Sequence, residues 1–241
     1  MEEDCSVKSR RYSRQLPLLG IEGQSRLASS RVAVVGLGGL GSIVSQYLVA
    51  AGVGHVRVID GDIVEPSNLN RQILYDEESI GLPKAYVAAW KLRSLNSCSR
   101  VEPVHAWVRD ENIEDIIGDV DLIVDCLDNW ETRLILSRYA RSKGVPLLHG
   151  AVESYYGQLY FYIPGESACL ECIAPRAGRK GEVSVIGPAV GVVASLEASL
   201  AIRYLSGEPV ALNELIIIDS RTLTIDKIKI NADSCECPSR A

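Results

Sequence analysis

Four glycines at positions 36, 38, 39 and 41 stand in the run GLGGLG, between an apolar stretch at 32–35 and a second one that continues to position 51. A strand feeding Gly-x-Gly-x-x-Gly and then a helix brings unpaired backbone N–H groups up to a phosphate. A Cβ at Gly36, Gly38 or Gly41 would hold the backbone away from such a ligand, and the helix end adds roughly 0.3–1 kcal/mol at an exposed site. Asp60 closes the next apolar run, 56–59, where a carboxylate can bind a ribose hydroxyl. That much suits a dinucleotide as well as a triphosphate, and the neighbouring charges separate the two. A dinucleotide pyrophosphate carries roughly two negative charges and ATP about four, so ATP calls for cations and a metal. Arg14, Arg71 and Lys84 supply cations. Asp128 and Asn129, just beyond the apolar run 122–126, supply oxygens for Mg²⁺ and for a phosphate or ribose.

A second constellation is made of sulfur. Cys169 and Cys172 form C-x-x-C after Pro164 and Gly165, and Cys235 and Cys237 form C-x-C near the end of the chain. Four thiolates on two turns can build a structural tetrahedral Zn²⁺ site whose binding energy counts toward folding. A redox pair or unrelated thiols stay open as readings. The seven cysteines are odd in number and no secretory leader precedes them, so they read as thiols rather than as a disulfide framework. His55, His105 and His149 stand alone and read as surface or strand-end residues without a role.

Positioning these groups requires alternating strands and helices. After a polar arm, 1–30, with one or two helical turns outside the core, the apolar pattern gives strands at 32–35, 56–59, 101–105, 122–126 and 146–150. Helices fill the intervals through 51, at 84–95, near 113–117 and at 133–143. Crossovers of this length imply a Rossmann-like, mostly parallel α/β sheet with helices on both faces. A differently alternating strand at 157–163, an apolar helix at 190–205 and a hairpin at 215–219 and 222–230 form an antiparallel C-terminal portion. Residues 31–155 thus form a nucleotide-binding half. Residues 156–241 add antiparallel strands, a crossover loop, a helix and the cysteine knuckles of the same domain.

With 47 % apolar and 23 % charged residues the chain is composed like a folded globular protein. A net charge of −6 gives no broad attraction to nucleic acid or anionic lipid, and neither partner is expected. The longest apolar stretch, 185–196, is interrupted by Gly and Pro and is short for a membrane span, so the expected location is the cytoplasm.

Taken together, the motifs RYSRQ (11–15), GLGGLG (36–41), DGDIVEPSNLNRQ (60–72), Lys84, DCLDN (125–129), GQ (157–158), CLEC (169–172) and GPAVGVVASLEA (187–198) resemble the ubiquitin-activating-enzyme-like adenylyltransferases. The likeness is to the ThiF/MoeB/HesA type, which serves molybdopterin synthase and the thiamine thiazole pathway. The resemblance implies that a Gly-Gly carboxylate of a small ubiquitin-like sulfur-carrier protein attacks the α-phosphorus of ATP and expels pyrophosphate. It implies that Gly39, Asp60, Asp62, Ser67, Asn68, Arg71, Gln72, Lys84 and Asp128 hold ATP or Mg²⁺. It further implies that Arg14 reaches the triphosphate of the other subunit of a homodimer. No protein nucleophile is required, because the carboxylate is already ionised at neutral pH.

Two departures from the family pattern stand out. The second cysteine pair is one residue shorter than the usual C-x-x-C, and the segment 174–186 lacks the cysteine that relatives use for a persulfide or thioester. Cys126 lies in the buried strand expected at 122–126, Cys5 and Cys98 match no family motif, and all three read as structural or incidental. The expectation is adenylation without an enzyme thioester at the usual place, the acyl-adenylate passing to a persulfide donor or sulfide. Competing readings are activation of a peptide or RNA-borne amino acid, an NAD(P)-dependent oxidoreductase on the same glycine loop, and an inactive subunit of a heterodimer.

Overall fold

The computed structural model describes residues 5–173 and 184–231. Its centre is one eight-stranded sheet in the order β3-β2-β1-β4-β5-β6-β7-β8. β1 (Arg31–Val35), β2 (His55–Ile59), β3 (Arg100–Val104), β4 (Leu122–Asp125) and β5 (Leu147–Glu153) run parallel. β6 (Tyr156–Tyr162), β7 (Glu214–Asp219) and β8 (Thr224–Lys229) extend the sheet antiparallel. The switch of direction at β5 to β6 follows from sequence. Ser154, at φ 58°, turns the chain back at once, so no crossover helix is needed there.

Both faces of the parallel half are covered, which is why β1 is apolar at every position from 32 to 35. Val32 and Val34 point into a cluster packed by α2 (Gly39–Ala51), α3 (Lys84–Leu95) and α7 (Gly187–Ser206). Ala33 and Val35 point into the opposite cluster with α4 (Ile113–Ile117), α5 (Trp130–Lys143) and the short α6 (Leu170–Ile173). By length and composition α7 could cross a membrane, but Ala194, Glu197, Ala198 and Ala201 on one face are fully buried against the sheet and α2. It is the core helix of this fold.

Three expectations from sequence need correction. The arm is not merely one or two turns outside the core: a short 3-10 turn is followed by α1 (Leu16–Ser29), 14 residues kinked at Gly20. Leu27 and Gln24 are fully buried. The side-chain amides of Gln15 and Gln24 both donate to the Ala51 carbonyl at the end of α2, at 2.7 and 3.0 Å. Polar residues that satisfy another helix's last carbonyl look like surface residues in a sequence. Next, α5 starts three residues earlier than its apolar pattern, at Trp130, because the Asn129 side chain accepts the Thr132 N–H and caps it. Finally, Cys5 and Cys98 are not thiols but a disulfide that ties the arm to the loop after α3. A spacing of 93 residues carries no signal of such a pairing.

Candidate functional site

β2 and β3 lie to one side of β1, and β4 to β8 to the other, so the order reverses between β1 and β4. Loops leaving these two strands part and leave a crevice over their carboxyl ends. The glycine loop enters it from β1. Gly36 has φ +89°, and a Cβ there would lie 2.8 Å from the Cys126 carbonyl oxygen. Gly36 and Gly38 line the crevice. Gly39 and Gly41 serve packing: a Cβ on Gly39 would lie 2.7 Å from Val190 of α7, and one on Gly41 would run into the Gly36 carbonyl. The free N-terminus of α2 is therefore held open by close approach on two sides.

Asp60 forms one wall. Its Oδ2 accepts the Leu37 N–H and its Oδ1 the Asp62 N–H, each at 2.7 Å. Burial pushes its carboxyl upward, while Lys84 and the two N–H groups oppose that shift. Lys84 opens α3 and is 5 % exposed, with Nζ 3.2 Å from Asp62 Oδ2. Asp128 and Asn129 are exposed at the opposite rim, carried by the loop between β4 and α5. Trp107 and Thr132 also border the crevice, though neither stood out in the sequence. A Cβ on Gly61 would lie 2.6 Å from the Trp107 ring, so the indole closes the crevice on the side of Asp60.

The remaining expected residues stand behind or beside the crevice. Asn68 is buried in the 3-10 turn Pro66–Asn68, and its Oδ1 accepts the Glu65 N–H at 3.1 Å. Ser67 is exposed, and its carbonyl accepts from Arg71 at 2.9 Å. Gln72 is buried beside Gly38, with its Oε1 unpaired among the described residues. Arg71 leads toward a second cleft of about 400 Å³, lined by Asn70, Ser154, Tyr155 and residues 184–188 at the N-terminus of α7. A Cβ on Gly187 would lie 2.6 Å from the Asn70 carbonyl, so this glycine lets the two regions abut. Arg14 is exposed and lines neither cleft.

Beneath the 126–129 loop lies a buried polar cluster. His149 is not a surface histidine: it is fully buried, 2.7 Å from Asp125 Oδ2 through Nδ1, and its Nε2 lies 3.1 Å from Gln158 Nε2. Burial pushes its pKa down, so the neutral ring donates to Asp125. His55 pairs with Glu102 at 3.0 Å, and His105 Nδ1 lies 3.2 Å from the Asp60 carbonyl. Glu197 of α7 is fully buried; burial and the nearby Asp125 push its carboxyl well up. Burial does the same to the Cys126 thiol, which faces Glu197 at 3.7 Å. In the sequence, the signal for this cluster is Asp125 and Arg133, which flank the Asp128–Asn129 pair.

At the far end of α5 the sulfurs of Cys169 and Cys172 stand 3.7 Å apart, with the Arg141 guanidinium 3.6 Å from Cys169 Sγ. Cys235 and Cys237 lie outside the described residues. Among the described residues no group of three or more His, Cys, Asp or Glu side chains is arranged to hold a metal.

Comparison with known proteins bears on this arrangement. Residues 12–239 match the model of the ThiF family. The chain is 39 % identical over 237 residues to the SAMP-activating enzyme E1 of Haloferax volcanii, covering 95 % of this chain and 87 % of that one. It is 41 % identical over 243 residues to the sulfur carrier protein adenylyltransferase of Thermus thermophilus, covering 95 % and 89 %. Among solved structures, E. coli MccB with AMPCPP and MccA superposes with a TM-score of 0.87 at 24 % identity, covering 98 % of this chain and 76 % of that one, a likeness of fold.

Proposed function

The chain belongs to the ThiF family, and on that premise we propose that it adenylates the C-terminal Gly-Gly carboxylate of a small ubiquitin-like sulfur-carrier protein at the expense of ATP. The observation that carries the reading is the crevice at the β1/β4 reversal, where one helix N-terminus, the Asp60 carboxylate, the Lys84 ammonium and the Asp128 carboxylate converge. The two relatives above, named for activating SAMP and a sulfur carrier protein, point the same chemistry toward a protein carboxylate.

In the proposed reaction a carboxylate oxygen bonds to the α-phosphorus while the bond from that phosphorus to the α,β-bridging oxygen breaks, and pyrophosphate leaves. Both reactants are anions, so alignment and charge compensation are what the protein contributes. Lys84, buried and already facing Asp62, is a fixed positive charge. Asp60 takes the ribose side, and the N–H groups at the start of α2 face the phosphates. The exposed oxygens of Asp128 and Asn129 are hard donors suited to Mg²⁺, which when bound neutralises charge on the triphosphate. The second cleft, beyond Arg71, is wide enough for an extended glycine tail, with the α7 N-terminus toward its carboxylate.

Arg14 completes the site from the partner in a homodimer, in keeping with its exposure away from both clefts of its own chain. Zinc is held by Cys169 and Cys172 with Cys235 and Cys237. Two thiolates on one tetrahedral Zn²⁺ at about 2.3 Å lie about 3.8 Å apart, and the 3.7 Å between Cys169 and Cys172 suits that. No enzyme thioester forms on segment 174–186; a persulfide donor or sulfide attacks the acyl carbon of the adenylate, the acyl–phosphate bond breaks and AMP leaves.

The test is ATP–pyrophosphate exchange with Mg²⁺ and a panel of Gly-Gly-ended carriers. Carrier-dependent exchange that disappears in Asp128→Ala supports the reading; absence of exchange with every carrier overturns it. A Cys5→Ser, Cys98→Ser, Cys126→Ser triple variant is expected to retain exchange. Loss of that step in a folded triple variant would rule out thioester-free activation.

A further inference from the structure

Arg133 is a full positive charge at 4 % exposure inside α5, and burying it is costly unless its partners are specific. Its Nε lies 3.6 Å from Asp125 Oδ2, and the guanidinium sits 5.2 Å over the Trp130 ring. Yet its hydrogen bonds go to backbone: one terminal nitrogen donates to the Leu127 carbonyl and, at 3.1 Å, to the Gly150 carbonyl of β5. Asp125 mirrors this. Its Oδ1 accepts the Leu127 N–H at 3.1 Å, while Oδ2 faces His149 Nδ1 at 2.7 Å, and Gln158 lies against the other side of that ring.

Both peptide groups of Leu127 are therefore gripped, N–H by Asp125 and C=O by Arg133. Two residues on, Asn129 is gripped as well, its side chain capping α5 through the Thr132 N–H at 2.9 Å. Asp128 lies between two restrained residues, its own side chain exposed at the rim of the crevice. A buried ion pair of this size could be replaced by apolar side chains with little loss of stability. Instead, both residues of the pair hydrogen-bond Leu127, the loop residue adjoining the candidate Mg²⁺ ligand, and anchor it to Gly150 and His149 of β5.

We propose that Arg133, with Asp125 and His149 behind it, is a positioning residue that holds the 126–129 loop so that the Asp128 carboxylate meets Mg²⁺-nucleotide. This rests on the adenylation reading for its reaction, but not for its binding consequence. Loosening the clamp leaves the glycine loop and Lys84 in place, so nucleotide without metal should bind as before. The gain in affinity that Mg²⁺ confers should fall.

The experiment compares wild type, Arg133→Met, Arg133→Lys, Asp128→Ala and, as a packing control, Leu136→Ala, whose side chain is fully buried on the same helix. AMPCPP binding is measured by calorimetry with and without Mg²⁺, alongside thermal denaturation and exchange kinetics. Arg133→Met is expected to bind metal-free AMPCPP within about 3-fold of wild type, to lose at least about tenfold of the Mg²⁺-dependent gain, and to lower kcat more than it raises KM. Arg133→Lys should recover part of the loss. Leu136→Ala should lower Tm while keeping the Mg²⁺ gain.

If Arg133→Met keeps the full Mg²⁺ gain, or Leu136→Ala loses as much of it at equal Tm, the proposal is overturned. Should Arg133→Met fail to fold, Asp125→Asn, which keeps an acceptor for Leu127 but removes the charge facing Arg133, is put through the same binding comparison with the same criteria. Exchange absent in wild type while AMPCPP still binds more tightly with Mg²⁺, and does so through Arg133, would sink the carrier reading and leave this one standing.

Discussion

At the scale of single residues, the crevice depends on atoms that are missing as much as on those present. A methyl on Gly41 would collide with the Gly36 carbonyl, which can yield only by displacing the loop that Gly36 itself makes against Cys126. Gly41→Ala is therefore expected to cost about 1–3 kcal/mol in thermal denaturation and to weaken nucleotide binding. Glu197 offers a test of sign. Burial and the nearby Asp125 hold its carboxyl well above the ordinary 4.5, so the folded chain keeps a proton that the unfolded chain releases as pH rises past that value. Its contribution to stability is present below 4.5 and declines as pH increases. A neutral Glu197→Gln should raise Tm at pH 8, with the gain shrinking toward pH 4.5. A gain independent of pH would show that the side chain is not protonated in the fold.

Elements make different demands. α1 and α2 are joined by two amides on one carbonyl, Gln15 and Gln24 on Ala51. Gln24→Ala, at a fully buried site, is expected to lose about 1–3 kcal/mol because the carbonyl keeps only one donor and the vacated space stays empty. The Cys5–Cys98 disulfide pins the residues before α1 across a loop of 93 residues, so Cys98→Ser should lower stability by about 2–4 kcal/mol. Denaturation of the wild type with and without reductant checks this. An identical Tm in both conditions would mean that the bond contributes nothing. That α5 begins at Trp130 shows why element ends are hard to read: the apolar run 134–136 suggests a start at 133, but Asn129 decides the cap.

For the whole molecule the question is how many chains make one site. If the arm of one subunit supplies Arg14 to its partner, inactive Arg14→Ala and Asp128→Ala proteins should rescue each other. Half of randomly mixed dimers would carry one intact site in two, restoring about a quarter of wild-type exchange. No recovery after subunits have been shown to exchange would place Arg14 in its own chain's site. The net charge of −6 leaves such steering to local groups: the positive features of the crevice are Lys84 and the start of α2.

The strand and helix order, the glycine-rich turn of 36–41 between β1 and α2 and the carboxylates at the ends of β2 and β4 were legible in the chain alone. They rest on period, on the need for glycine at close approach and on short-range spacing, which are local properties. Long-range pairing decided the rest. Glutamines on α1 became core by meeting a helix end, two cysteines with no motif became a disulfide, and His149 became a buried donor to Asp125. Gly39 and Gly41 turned out to be spacers against α7 and the loop, and Arg133 a clamp on the residue before Asp128. None of these has a sequence period, because each depends on which atoms the sheet order brings within reach.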